Sequence, residues 1–228
     1  MSQSTSEHKI IIAIDGPACS GKGTIARGVA AHFGFSHLDT GLLYRAVGLR
    51  THALDPSMGN DDTAIHVAKS FDPEWLNDAD LRSDACSAYA SKVAVIQGVR
   101  EALLDFQRNF AIYPPGNGAV LDGRDIGTVI CPKAPIKLFI SADIEIRAQR
   151  RFEELYQAYG EKIIFEDVLT ALKARDARDM NRKDAPLKPA EDSVLLDTSK
   201  MSIKDAIAQA IHMTENALAS DDKMFICI

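Results

Sequence analysis

The sequence predicts an α/β fold: a central, mostly parallel five-stranded sheet with helices on both faces. Three observations carry that expectation. Short, continuous apolar runs end in turn residues, as strands buried on both faces do. Stretches of helical periodicity alternate with those runs, the order expected of a parallel sheet. A glycine-rich segment joins the first run to the first helix.

The elements follow in chain order. Residues Lys9-Ile-Ile-Ile-Ala-Ile14 form the first apolar run and stop at Asp15-Gly16. From Lys22 to Phe33 the apolar residues Ile25, Val29, Ala30 and Phe33 recur at helical spacing, and Gly34 follows as a C-cap signal. His37-Leu-Asp39 is a brief second strand, after which Thr40 is placed to cap a helix carrying Leu43, Tyr44 and Val47. Between 54 and 84 Pro, Gly, Asn and Asp residues punctuate short helical pieces, the texture of a peripheral lobe. A helical stretch from Ala85 to Ala111 is expected to break near Gly98. Ala119–Asp122 and Ile136–Ile140 are further core strands. Asp143–Tyr159 and 165–183 read as helices parted at Gly160, Ser193–Leu196 as the last strand, and Ser202–Ala217 as the last helix with Ser202 as its cap.

Composition narrows the function classes. With 46% apolar and 25% charged residues, the 228-residue chain can bury one substantial core. No apolar run approaches the ~20 residues of a membrane helix, and Met1 to Lys9 lacks a signal-peptide core, so a cytoplasmic protein that leaves membranes alone is expected. The four cysteines are scattered, with no Cys-x-x-Cys pair, which points to reduced thiols and no zinc site. A net charge of −6 argues against nucleic acid as a partner. Six arginines nonetheless fall between Arg147 and Arg182, a local cationic site suited to a small polyanion.

The strongest motif is Gly16-Pro17-Ala18-Cys19-Ser20-Gly21-Lys22-Gly23-Thr24, lying between a strand and a helix. Glycines let consecutive N–H groups curl inward, and the helix N-terminus adds a positive dipole end, so the segment is built to hold phosphates. Lys22 is placed to reach the β- and γ-phosphates, and Thr24 to offer its hydroxyl to Mg²⁺ directly or through water. Gly23 stands where Ser or Thr is usual in Gly-x-x-x-x-Gly-Lys-[Ser/Thr], with Thr24 one place later.

Other segments carry acceptor chemistry. In Asp39-Thr40-Gly41-Leu-Leu-Tyr44-Arg45, Arg45 suits a phosphate, although a solvated arginine on a capped helix fits the same residues. Asp122-Gly123-Arg124-Asp125-Ile126-Gly127-Thr128 follows a strand and pairs a phosphate clamp with a carboxylate that can accept from a base amino group; a turn with a local ion pair is the plainer reading. Arg175, Arg178, Asp179 and Arg182 recur at i, i+3, i+4 and i+7 and share a helix face, which taken alone reads as wet surface. Arg147, Arg150 and Arg151 fit a solvated helix and a nucleotide lid equally.

These segments, with Ala90-Ser91-Lys-Val-Ala94 through Val99-Arg100 and Ala185-Pro-Leu187, resemble the bacterial cytidylate kinases, nucleoside monophosphate kinases of the P-loop class. The resemblance runs from Ile10 to Ala217. It implies a P-loop NTPase three-layer fold in one kinase domain over 1–228. Its parts would be a core (9–53, 115–146 and 184–218), a helical lobe for the monophosphate (54–114), a short lid (147–165) and frayed tails (1–8 and 219–228). It further implies ATP-dependent phosphorylation of CMP or dCMP with Mg²⁺ by a monomer. Ser91, Arg100 and Asp125 fall where the family reads cytosine. Arg45, Arg124 and Arg182 fall where it holds the acceptor phosphate, with Thr40 in the place of a common Ser, and Arg175 and Asp179 where it meets sugar and phosphate. Lys22, Arg124 and Arg182 would neutralise charge on the transferred group, under a lid carrying Arg147, Arg150 and Arg151. The lobe is shorter than in some members. The rival readings are a P-loop kinase for UMP, AMP or a coenzyme- or shikimate-type acceptor, a non-catalytic nucleotide module, and a GTPase switch, whose Asp-x-x-Gly is absent.

Overall fold

The computed structural model describes residues 9–219. The expected fraying of the tails falls outside that range, except for Ala219, which ends the last helix. The strands β1 (Ile10–Asp15), β2 (Ser36–Asp39), β3 (Gly118–Gly123), β4 (Ile136–Ser141) and β5 (Val194–Asp197) form one sheet in the order β2-β3-β1-β4-β5. Every pairing is parallel. All five strand ends therefore emerge at the same edge, with β1 between β3 and β4 where the chain crosses over, and open α/β sheets place their ligands there.

The helices are α1 (Lys22–Phe33), α2 (Thr40–Leu54), α3 (Asp61–Lys69), α4 (Asp84–Val93), α5 (Gln97–Ile112), α6 (Ile144–Tyr159), α7 (Phe165–Met180) and α8 (Ile203–Ala219). Alternation along β1 divides the core. Ile12 and Ile14 pack with Val120, Leu138 and Ile140 under Ile25 and Val29 of α1 and Ala206 and Ala210 of α8. Ile11 and Ala13 face the other way, onto Leu121, Ala111, Ile126 and Ile130. Burial of each Ile, Leu or Val side chain among them contributes about 1.5–3 kcal/mol. A third cluster, Leu43, Val47, Ala64, Val67, Val99 and Leu103, holds α2, α3, α4 and α5 to one another beside the sheet.

Local signals account for most boundaries. Gly34 adopts φ 66° and caps α1, and the Ser202 hydroxyl accepts from the Asp205 N–H at the start of α8. The break expected near Gly98 comes earlier, at 94–96, where the N–H of Ala94 still bonds back to Ala90 and Ile96 then turns extended. The helix expected to reach 183 stops at Met180, and the chain folds back so that the Leu187 N–H reaches the Asp179 carbonyl. Thr40 does not cap its helix. Asp39 is the N-cap, and Thr40, the first helical residue, donates its hydroxyl 2.8 Å to the Asp122 carbonyl, tying α2 to β3.

Candidate active site

At the carboxyl edge a cleft of about 870 Å³ runs from the phosphate loop to α4 and α7. Its donor end is backbone. Gly16 leaves β1 at φ 156°, where a Cβ would sit 2.1 Å from the Ile140 carbonyl oxygen, so no larger residue fits between β1 and β4. Gly21 takes φ 87° as the N-cap of α1, a left-handed geometry that favours glycine. Cys19 holds φ 59°, strained for a residue with a side chain. The loop's carbonyls are tied from behind: Arg147 donates to Ala18 O at 3.2 Å, and Thr198 to Ser20 O at 3.0 Å. Anchored so, the loop and the free amides at the head of α1 form a fixed cradle for anions.

Lys22 projects from that cradle. Burial, with Arg124 nearby, lowers its pKa to about 8, so it remains a cation at neutral pH. Asp39 and Asp122 stand close by. Burial first and the Asp122 carboxylate second push Asp39 upward. Asp122 is itself held by His37, 2.7 Å from Nε2.

The acceptor end is made of side chains from distant segments. Asp179 of α7 is 2% exposed and accepts from Arg124 Nε at 2.9 Å and from Arg182. Burial would raise this carboxyl, but Arg124 and Arg182 outweigh it and hold it below the ordinary range. Arg175 donates to Ser87 Oγ at 2.6 Å, and burial next to Arg124 drops its pKa to about 10. Arg45 reaches the Leu81 and Ser83 carbonyls at 2.8 and 3.1 Å. Arg100 pairs with Asp125 in a buried bridge, and burial raises Asp125 despite that neighbour. Ser20 Oγ, Arg100 Nη1, Arg175 Nε and Arg182 Nε are buried without a protein partner. Of these, Ser20 and Arg175 line the cleft, and orphaned polar groups there ask for a polar ligand.

The expected residues separate into three groups. Ala18, Cys19, Ser20, Gly21, Lys22, Gly23, Thr24, Arg45, Ser91, Arg124, Arg150, Arg151 and Arg175 line the cleft, while Gly16 and Pro17 lie at the start of the loop outside its lining. Thr40, Arg100, Asp125, Asp179 and Arg182 form a layer behind its wall, tied to it by the bonds above. Arg147 belongs to neither. It is 5% exposed and locked to Asp176, Ala142 O and Ala18 O, so it supports the phosphate loop from below and does not reach over the cleft. Arg150 reaches the loop through Thr198, and Arg151 spans from α6 to Asp84 of α4.

Sequence reasoning passed over Asp15, Ser87, Asp176 and Thr198. Only Asp15 carried a signal, a carboxylate closing an apolar run at a strand–loop junction. Arg178 belongs in sequence to a charged stripe, but its bond to Ser91 Oγ at 3.2 Å joins α7 to α4. Arg124 has Asp125 beside it in sequence, whereas its partner is Asp179 and Asp125 belongs to Arg100.

A parallel sheet with a Gly-Lys phosphate cradle after its central strand, facing a clustered set of arginines, defines a P-loop phosphotransferase. The family model described as cytidylate kinase matches residues 12–216, and the chain belongs to that family. A cytidylate kinase of Paramagnetospirillum magneticum (strain ATCC 700264 / AMB-1) is 54% identical over 206 residues, covering 88% of this chain and 95% of that one. One from Brucella suis biovar 1 (strain 1330) is 53% identical over 211 residues, 92% and 94% of the two chains. Among solved structures, an uncharacterized protein from Eubacterium ventriosum superposes with a TM-score of 0.54 at 18% identity, over 91% of this chain and 99% of that one, a likeness of fold.

Proposed function

We propose that this protein transfers the γ-phosphoryl group of ATP to CMP or dCMP, giving CDP or dCDP and ADP. The observation that carries the reading is that Lys22, Arg45, Arg124 and Arg175 line one cleft, with the Arg175 Nε buried and unpartnered. Such a site holds two phosphate groups face to face. The 52–54% identity to curated cytidylate kinases supports the choice of acceptor.

The phosphate loop holds the donor's β- and γ-phosphates on backbone N–H groups, with Lys22 on their outer oxygens. Arg45, Arg124 and Arg175 hold the acceptor phosphate in line. Its attacking oxygen is already anionic, so no general base is needed, and positioning with charge neutralisation supplies catalysis. Cytosine offers an N4 amino donor beside N3 and O2 acceptors. Asp125 and Arg100 offer the base the same acceptor and donor that they now offer each other, with Ser91 on the wall beside them.

The donor set beside the loop fits Mg²⁺. Thr24 contributes a hydroxyl, and the crowded Asp39–Asp122 carboxylates are hard oxygen ligands whose mutual repulsion a cation relieves. Among the described residues no three His, Cys, Asp or Glu side chains gather as a metal cage, so phosphate and water oxygens would complete the shell. Bound there, Mg²⁺ would neutralise charge on the β- and γ-phosphates. The division into core (9–53, 115–146 and 184–218), lobe (54–114) and lid (147–165) follows from the same reading. A monomer is part of the same reading. No described helix is long and apolar enough to cross a membrane, and a cytoplasmic location accords with the unpaired Cys19, Cys86 and Cys131.

The test is a coupled ADP assay of the purified protein with CMP, dCMP, UMP and AMP in turn. CMP and dCMP are expected to give the highest kcat/KM. Preference for AMP would refute the proposed acceptor and leave the kinase assignment standing.

A further inference from the structure

Asp15 is the last residue of β1, immediately before the phosphate loop, yet its side chain points away from the donor. Its Oδ1 accepts from the Ile126 N–H at 2.8 Å and its Oδ2 from the Gly127 N–H at 2.7 Å. The carboxylate is 4% exposed and lies at the end of the central strand, in register with Gly123 of β3 and Phe139 of β4. The two amides open the single wide turn 126–130 that follows Arg124 and Asp125. The N–H groups of Val129 and Ile130 bond back to the Asp125 carbonyl, which closes the turn on itself. Gly127 packs against both Asp15 and the Lys137 stem, where a Cβ would meet the Asp15 oxygen at 3.4 Å. The turn is therefore gripped from below by one side chain, and that side chain belongs to the strand that carries the phosphate loop.

We infer that Asp15 is a positioning residue for acceptor selection: by clamping the Ile126 and Gly127 amides it fixes the direction in which Asp125 and Arg124 leave β3. The loop that holds the donor and the turn that reads the acceptor then share one anchor, set by a bidentate hydrogen bond across neighbouring strands. The inference rests on the assignment of Asp125 to the acceptor base. A carboxylate is suited to the task, since its two oxygens serve two adjacent amides at once and charge-assisted bonds are the stronger ones. An asparagine keeps the shape but turns an NH₂ group toward one of the two donors.

The surroundings add a pH dependence. Burial raises the Asp15 pKa to about 7, opposed by the Gly127 and Ile126 N–H groups and raised further by Asp125, with Arg124 acting the other way. Cys131 also faces it, while the Lys137 ammonium is turned away to Pro132 O and Asp192. Ionisation tightens the grip on both amides, so acceptor selection should sharpen as pH rises through about 7. Stability moves the other way: the folded pKa lies above the unfolded value of 3.8, so ionising Asp15 costs stability between 3.8 and about 7. Opposite trends separate positioning from general loosening of the fold.

The experiment measures kcat/KM for CMP and for UMP, with KM for ATP, in wild type, Asp15→Asn and Asp125→Asn. The two acceptors carry the same phosphate, so its titration cancels in their ratio. In Asp15→Asn the CMP:UMP ratio is expected to fall about tenfold while KM for ATP stays within about twofold. An unchanged ratio in a folded Asp15→Asn protein overturns the inference. An unchanged ratio in Asp125→Asn removes the base-reading role itself, and the inference with it. Should Asp15→Asn fail to fold, wild type alone decides. The Ile126 and Gly127 amide resonances and the CMP:UMP ratio are expected to titrate together with a midpoint of about 7, and a ratio that stays flat between about pH 6 and about pH 8 while those resonances titrate overturns the proposal.

Discussion

The two ends of the cleft are built on opposite principles. The donor end is nine consecutive residues, Gly16 to Thr24, whose working groups are backbone amides, one lysine and the Thr24 hydroxyl. The acceptor end is a set of side chains from α2, the α4–α5 pair, β3 and α7, joined by ion pairs such as Arg100–Asp125 and Arg124–Asp179. A backbone cradle is held by φ values and by carbonyl tethers, as at Gly16, Gly21 and the Ala18 and Ser20 carbonyls. A side-chain cradle is held by charge balance, and deleting one member strands the others in a poorly hydrated site. The contrast accords with the two jobs, since triphosphate tails are alike and bases are not.

The largest effect is expected from Asp179→Ala, which leaves Arg124 and Arg182 without their shared partner. Breaking such a buried network costs about 3–5 kcal/mol, and urea unfolding should show it. CMP should restore part of the loss, because its phosphate takes the carboxylate's place. Unchanged stability would show the network to be a wet surface after all.

Lys22→Ala tests the donor end with the fold left intact. Loss of a charged donor to the transferred group should lower kcat by about 10²–10³-fold, or about 2.7–4 kcal/mol. The same lysine sets an alkaline limb. With its pKa lowered to about 8 in the free protein, kcat/KM for ATP should fall as pH rises above that value. The limb in kcat should lie higher, because bound phosphate favours the charged form. A limb absent from the kcat/KM profile would remove Lys22 from donor binding.

Asp125→Asn sharpens the acceptor end. It swaps an acceptor for a donor toward the base and should cut CMP selectivity over UMP by about 1–3 kcal/mol, read from paired kcat/KM values. The smallest effect is expected at Asp84→Asn. The Arg151–Asp84 bridge between α6 and α4 has its carboxylate 59% exposed, and surface pairs contribute about 0.2–1 kcal/mol. Its loss should leave thermal stability nearly unchanged, and a drop of several degrees would show that the bridge contributes more than an exposed pair.

Much of this contrast was legible before any coordinates. The Gly34 cap, the Ser202 cap and the apolar runs placed the sheet and helices, and the Gly16–Thr24 loop falls between β1 and α1 as expected. The errors fall where a local rule met a distant partner. Thr40 had the chemistry of a cap, but the Asp122 carbonyl claimed its hydroxyl across 82 positions. Arg147 shared a helix face with Arg150 and Arg151, but Asp176 and the Ala18 carbonyl drew it under the loop. Arg124 had a carboxylate beside it in sequence and found another 55 residues away.

Local encoding explains what could be read in one dimension. Strand periodicity, a glycine at positive φ and a helix start each depend on a few neighbouring residues, so the fold class and the donor cradle are written in consecutive letters. Which arginine meets which carboxylate, and how far burial shifts Lys22, Asp15 or Asp39, depends on groups brought together by sheet order and helix packing. Electrostatic energy follows distance and hydration in space, and spacing along the chain carries neither, so the acceptor wall existed only once the chain had folded.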